Sequence, residues 1–112
     1  MSLKYVENSL SRVDDKTISF KLMNNYASGS ATIDGKILLD GIDVTKYTTA
    51  KLAEQSITVG ENMDIYSEYG DIIEFIISLD KEIERGKHKI EVEMKIKYPI
   101  WATLRSEFEG EV

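Results

Sequence analysis

A chain of 112 residues with 42% apolar content is a single domain over residues 1–112, large enough to bury roughly two-thirds of its unfolded surface without staples. Acidic residues outnumber basic ones, 20 against 14, for a net charge of -6, and an acidic surface repels phosphate backbones, which excludes nucleic acid as an expected partner. The absence of cysteine excludes disulfides, thiolate nucleophiles and Cys-based metal sites, and fits a reducing, cytoplasmic compartment.

The start, Met1-Ser2-Leu3-Lys4-Tyr5, lacks the apolar stretch of a leader peptide, and no apolar run approaches the roughly 18 residues of a membrane span. No membrane association is expected. Lys16–Met23 alternates, with Ile18, Phe20 and Leu22 on one side and Thr17, Ser19, Lys21 and Met23 on the other, and reads as a strand. Asn24–Ser30 supplies small and polar loop residues. Two Asp-Gly pairs follow, Asp34-Gly35 and Asp40-Gly41. Asp40-Gly41 is expected to be the tight hairpin turn, joining 36–39 to 42–44, and Asp34-Gly35 a looser bend.

The pattern weakens from Thr45 to Gln55, where Ala50–Gln55 is expected to form a single helical turn in a crossing loop. Short strands are expected over 56–59 and 62–66, split by Gly60, with a turn at Tyr69-Gly70. The segment 71–79 reads DIIEFIISL. Four isoleucines and a phenylalanine favour a strand buried on both faces. The alternative is one helix over 71–85, with Ile72, Ile76, Leu79 and Ile83 as its stripe and Gly86 closing it. With 71–79 a strand, Asp80–Arg85 is a charged connection to the Gly86 turn.

The clearest pattern lies between Gly86 and Pro99, where Ile90, Val92, Met94, Ile96 and Tyr98 alternate with Lys and Glu. Period-2 alternation places the apolar set on one face of a half-buried strand; a helix would scatter it. Beyond Pro99, Ile100, Trp101, Leu104 and Phe108 can pack one further segment. Seven or eight short strands in about a hundred residues predict an all-β fold, an antiparallel β-sandwich; the alternative is α+β with the 71–85 helix.

The chemistry-bearing residues are sparse. His88 is the single histidine, which excludes sites built on paired imidazoles; it reads as a strand-end residue hydrogen-bonded to a turn. The carboxylates of Asp14-Asp15, of Asp64 and Glu68 beside Tyr66, and of Glu91 and Glu93 nominate no acid–base pair or metal site, and the last two suit a cross-strand charge ladder. No phosphate-cradling glycine motif occurs. No catalytic residue, metal or cofactor is therefore expected. Tyr26, Tyr66, Tyr69 and Trp101 fall in or beside loops, and aromatic faces with polar edges suit interfaces and sugar rings; with His88 they form the candidate ligand or partner surface.

Three pieces in order carry a family resemblance: Phe20-Lys21-Leu22 followed by Asn25-Tyr26-Ala27-Ser28-Gly29; Ile37-Leu38-Leu39-Asp40-Gly41-Ile42-Asp43-Val44; and Gly86-Lys87-His88-Lys89-Ile90-Glu91-Val92 running to Lys97-Tyr98-Pro99-Ile100. Over about residues 17–100 the chain resembles the small β-subunits of bacterial C-glycoside deglycosidases. The resemblance implies a β-sandwich that serves as a non-catalytic accessory subunit of a larger TIM-barrel, carbohydrate-active enzyme. In that family the metal and the acid–base residues belong to the large subunit, so no catalytic residue carries over. The competing expectation is a self-associating structural domain without a ligand.

Overall fold

Alternation at Lys87–Tyr98 produces the longest strand of an all-β sandwich, seen in a computed structural model that describes residues 3–112. Met1 and Ser2, part of the start read as lacking a leader, lie outside the described residues. The strands in chain order are β1 (Lys4–Tyr5), β2 (Ser11–Asp14), β3 (Thr17–Met23), β4 (Gly29–Leu39), β5 (Ile42–Asp43), β6 (Thr48–Leu52), β7 (Gln55–Thr58), β8 (Met63–Ser67), β9 (Ile72–Ser78), β10 (Lys87–Tyr98) and β11 (Ala102–Glu111), with a 3-10 turn at Thr45–Tyr47. All pairings are antiparallel. One sheet runs β1-β3-β9-β6-β7 with β2 also on β3; the other runs β11-β10-β4-β5 with β8 also on β4. Among the described residues no helix is long and apolar enough to cross a membrane.

Inward-facing side chains of both sheets make the core. Ile18, Phe20, Leu22, Phe75 and Ile77 from one sheet meet Ile37, Ile90 and Val92 from the other, all essentially inaccessible to solvent. Phe20 stacks on Phe75 at 5.2 Å between centroids and takes the edge of Phe108 at 5.1 Å. Tyr5 stacks on Phe108 at 4.0 Å and so ties the two sheets together along one side. The outer face of β10 and β11 carries the expected charge ladder, with Lys87–Glu109 at 3.0 Å, Lys89–Glu107 at 2.7 Å and Arg105–Glu93 at 3.1 Å. Exposed pairs of this kind contribute at most about 1 kcal/mol each.

Several expectations are corrected. Among the described residues the strands number eleven because β1, β2 and β6 add to those expected. The first two are short and polar, and β6 contains the helix formers Ala50, Lys51 and Leu52, yet it pairs β9 and β7 on either side. Tertiary pairing overrides propensity there, and the expected helical turn at 50–55 is instead the β6–β7 hairpin, turning at Ala53-Glu54. Asp34-Gly35 is no bend: it lies inside β4, opposite Lys95 and Met94. A Cβ on Gly35 would meet Val59 Cγ1 at 2.7 Å and Met63 Cε at 2.8 Å, so this glycine allows close packing rather than a turn. The alternative helix over 71–85 is replaced by β9 and an extended connection. β9 also differs from a strand buried on both faces, since Ile72 is exposed and Glu74 and Ile76 are half-buried.

The Asp40-Gly41 hairpin forms as expected between β4 and β5, with φ of 53° and 81° at its two central residues, the type I′ requirement.

Candidate functional site

The inward parity of β4, β7, β8 and β9 predicts that Ile33, Ile57, Ile65 and Ile73 are core residues, yet each is only partly buried. They line an apolar cavity of about 260 Å³ between the sheets, with Ala50, Leu52, Phe75, Met94, Ile96 and Leu104 at its walls. The sandwich is open at this end. Tyr26 to Ala31 on one side and Pro99 and Ile100 on the other form the mouth.

Asn24 holds that mouth in shape. It is buried at the end of β3, and its Nδ2 donates to Ala27 O (2.8 Å), Ser67 Oγ (2.9 Å) and Glu68 O (3.1 Å). Its Oδ1 accepts from the backbone N–H groups of Tyr26 (3.0 Å) and Ala27 (3.3 Å). Gly70 N–H donates to Asn24 O at 2.7 Å, and Tyr69 N–H donates to Ser28 Oγ at 2.8 Å. One amide thus joins the loop after β3 to the loop after β8. An asparagine suits the task because it offers donors and acceptors together.

Four of the five expected surface residues lie at this end of the sandwich. Tyr26 lines the cavity. Tyr66 stands opposite Ser30, and Tyr98 opposite Thr32, so both project from the outer face at this end, on the two strands that flank β4. Tyr69 is tethered to Ser28, and Trp101 belongs to the turn between β10 and β11 beside the mouth residues Pro99 and Ile100. Tyr66, Tyr69, Tyr98, Ile100 and Trp101 are between 52% and 83% exposed. Tyr66 Oη donates to Glu68 Oε1 at 3.3 Å, and that carboxylate's charge raises the phenol's pKa, keeping it neutral.

His88 lies elsewhere. Ten residues along β10 from Tyr98, it is roughly 33 Å away at the opposite end of the sandwich. Its Nδ1 bonds Asp40 Oδ2 at 2.5 Å and its Nε2–H donates to Glu84 O at 2.6 Å. Asp40 Oδ1 also accepts from Lys89 N–H at 2.8 Å. Burial opposes the imidazolium, but the Asp40 carboxylate and the Glu84 carbonyl outweigh it and raise the pKa of His88. The converse holds for Asp40: burial works against its charge, and the Lys89 N–H and His88 together lower its pKa. His88 is therefore a clamp between the Asp40-Gly41 turn, the 80–86 connection and β10, and it takes no part in the open end. Among the described residues no three His, Asp or Glu side chains gather as a metal-holding group.

Sequence reading missed the cavity itself, Asn24 as its organiser, and Tyr98 and Ile100 as members of the exposed apolar set. Tyr98 was legible only as one more residue of the alternating strand. The register shift between Ile96 and Tyr98 is what turns it outward, because Ile96 pairs Ile33 whereas Tyr98 pairs the adjacent Thr32.

No protein-family model matches the sequence, and no curated protein matches it. Among solved structures, the fold is similar to a conjugative transposon lipoprotein from Bacteroides eggerthii, 12% identical over 96% of this chain and 93% of that one, with a TM-score of 0.48. It is also similar to the archaellum periplasmic stator protein FlaG from Sulfolobus acidocaldarius, 12% identical over 95% and 99% of the two chains, TM-score 0.43. A third is the N-terminal domain of PorA, 15% identical over 97% and 84%, TM-score 0.44. Similarity at this level carries no function from those proteins to this chain.

Proposed function

We propose that the chain is a non-catalytic binding module that docks the open end of its sandwich onto a larger protein, which seats an apolar side chain in the cavity. The observation that supports this is an apolar pocket lined at its mouth by Tyr26, Pro99 and Ile100, with the exposed side chains of Tyr66, Tyr69, Tyr98 and Trp101 at the same end of the sandwich. Exposed aromatics grouped about a pocket are the anatomy of a protein interface, where a few such residues carry most of the binding energy. The partner's class rests on the resemblance alone: a TIM-barrel, carbohydrate-active enzyme of the C-glycoside-cleaving kind, with this chain as its accessory subunit in the cytoplasm.

The test is capture from a lysate of the native host with three baits in parallel: the parent protein, Trp101→Ala combined with Ile100→Ser, and His88→Ala. The proposal expects a larger protein at stoichiometric level with the parent and with His88→Ala, and its loss with the open-end variant. A partner retained equally by all three baits places the interface elsewhere and rejects the docking site. A captured protein unrelated to carbohydrate chemistry rejects the enzyme-subunit reading while leaving the docking site in place.

A further inference from the structure

β11 closes its sheet with its outer edge unpaired by any described strand. It bonds β10 without a register break from Lys87↔Glu111 to Ile96↔Ala102. The other strands with an unpaired edge are two to five residues long: β1, β2, β5, β7 and β8. Short edges are a common way to prevent strand addition. β11, at ten residues, departs from that pattern.

The direction of its backbone groups follows from one pair. Gly86 N–H donates to Val112 O at 3.1 Å and Val112 N–H to Gly86 O at 3.0 Å, so 86 and 112 are a closely bonded couple. In an antiparallel ladder such couples alternate with unbonded ones. The even-numbered residues of β11 therefore spend their N–H and C=O groups on β10. Thr103, Arg105, Glu107 and Glu109 point theirs away from it, where no described strand pairs with them. An added strand must bond to these odd positions.

We propose that a second copy of this chain adds to that edge, β11 against β11, antiparallel with Ser106 on the two-fold axis. Three constraints select this register. Self-pairing about a point between residues would set odd positions against even ones, whose groups are already used. Centring on Glu107 would face it with the partner's Glu107, and centring on Arg105 would face it with the partner's Arg105. Centring on Ser106 instead sets Arg105 opposite the partner's Glu107 twice over, and Thr103 opposite the partner's Glu109. The even row then sets Leu104 against the partner's Phe108.

Charge complementarity continues across the junction. Arg105 already bonds Glu93, and Glu107 already bonds Lys89, so each new pair extends a ladder of alternating sign, Glu93–Arg105 and then the partner's Glu107 and the partner's Lys89. Leu10 covers the inward face at Gly110, its Cδ2 2.7 Å from where a Cβ would stand, and the Ser106-centred register pairs Thr103–Glu109 of one copy with the same segment of the other. A junction of that length is smaller than a standard interface of about 1,600 Å² and gives a reversible dimer rather than an obligate one. It uses a side of the sandwich separate from the open end, so it stands whether or not a larger partner docks there.

The test is sedimentation equilibrium on the full chain up to about 1 mM, a concentration that detects even weak pairing. The parent is expected to dimerise reversibly. Arg105→Glu sets a new carboxylate against the partner's Glu107, and Glu107→Lys sets a new ammonium against the partner's Arg105. Each alone is expected to weaken the dimer at least tenfold, and an equimolar mixture is expected to restore it, because both facing pairs are then of opposite sign. Glu107→Pro removes an outward N–H, which an edge strand tolerates, together with the exposed Glu107–Lys89 pair; it is expected to stay folded by circular dichroism and to be monomeric. A parent that is monomeric throughout overturns the proposal. So does a dimer that Glu107→Pro leaves intact, or a pair of charge variants that fail to combine on mixing.

Discussion

Filling the cavity is the sharpest physical test of the open end. Ala50 faces inward from β6 between Phe75 and Ile57, its neighbours on β9 and β7, and lines the cavity wall. Ala50→Val adds two carbons to apolar space. At roughly 0.8 kcal/mol for each buried methylene-sized group the gain approaches 1.6 kcal/mol, and a β-branched residue suits a strand. Lost side-chain freedom reduces the net to about 1 kcal/mol, a rise of about 4 °C in Tm for a domain of this size. Gly35→Ala is the counterpart at the same end. Its Cβ would stand 2.7 Å from Val59 Cγ1 and 2.8 Å from Met63 Cε, and a loss of about 1 kcal/mol is expected as both yield. Urea unfolding with an unchanged m-value measures both. A loss of about 1–3 kcal/mol for Ala50→Val, the ordinary result of overpacking, would refute the reasoning, because it would show the sheets closed together in solution.

Asn24→Ala removes three donated and two accepted hydrogen bonds at the mouth; a loss of about 2–3 kcal/mol is expected, with hydrogen exchange accelerated in the 24–28 and 67–71 loops and unchanged in the β10–β11 hairpin. His88 and Asp40 predict a pH optimum for stability. The raised pKa of His88 gives a contribution that is full below about pH 6.5, its unfolded value, and fades as pH rises through the folded one. The lowered pKa of Asp40 gives a contribution that is full above about pH 3.9 and is lost as pH falls through its folded value. The pair is thus strongest between about pH 4 and pH 6.5. Denaturation of the parent and His88→Gln at pH 5, 6.5 and 8 is expected to show a difference that shrinks toward pH 8; a constant difference would contradict the clamp.

The fold was legible where one face is buried and the other wet. Alternation identified β3 and β10, and Asp-Gly identified the β4–β5 turn, because both signals are local: a side-chain period of two, and a backbone that needs positive φ. β6 was illegible because its strand state is imposed by β9 and β7 on either side rather than by Thr48–Leu52 themselves. Gly35 misled for a related reason, since an Asp-Gly pair marks a turn only when no neighbouring side chain requires the space its Cβ would fill. Loop aromatics pointed to Tyr26, Tyr66, Tyr69 and Trp101, and the fold places those four at one end of the sandwich. Their grouping, and the separation of His88 from them, depend on which loops share an end of the sandwich, a property of topology that no short segment carries. The cavity was invisible for the same reason: Ile33, Ile57, Ile65 and Ile73 have the sequence pattern of core residues and differ only in what faces them.

Trp101 is the one tryptophan of the chain and stands 83% exposed next to the mouth residue Ile100, so its fluorescence reports on the proposed docking surface. Acrylamide quenching of Trp101 should be compared in the isolated protein and in the complex with its captured partner, using a partner signal subtracted through Trp101→Phe. The account predicts free quenching in isolation and strong protection in the complex. Equal quenching in both states would contradict it, leaving the open end of the sandwich outside the interface.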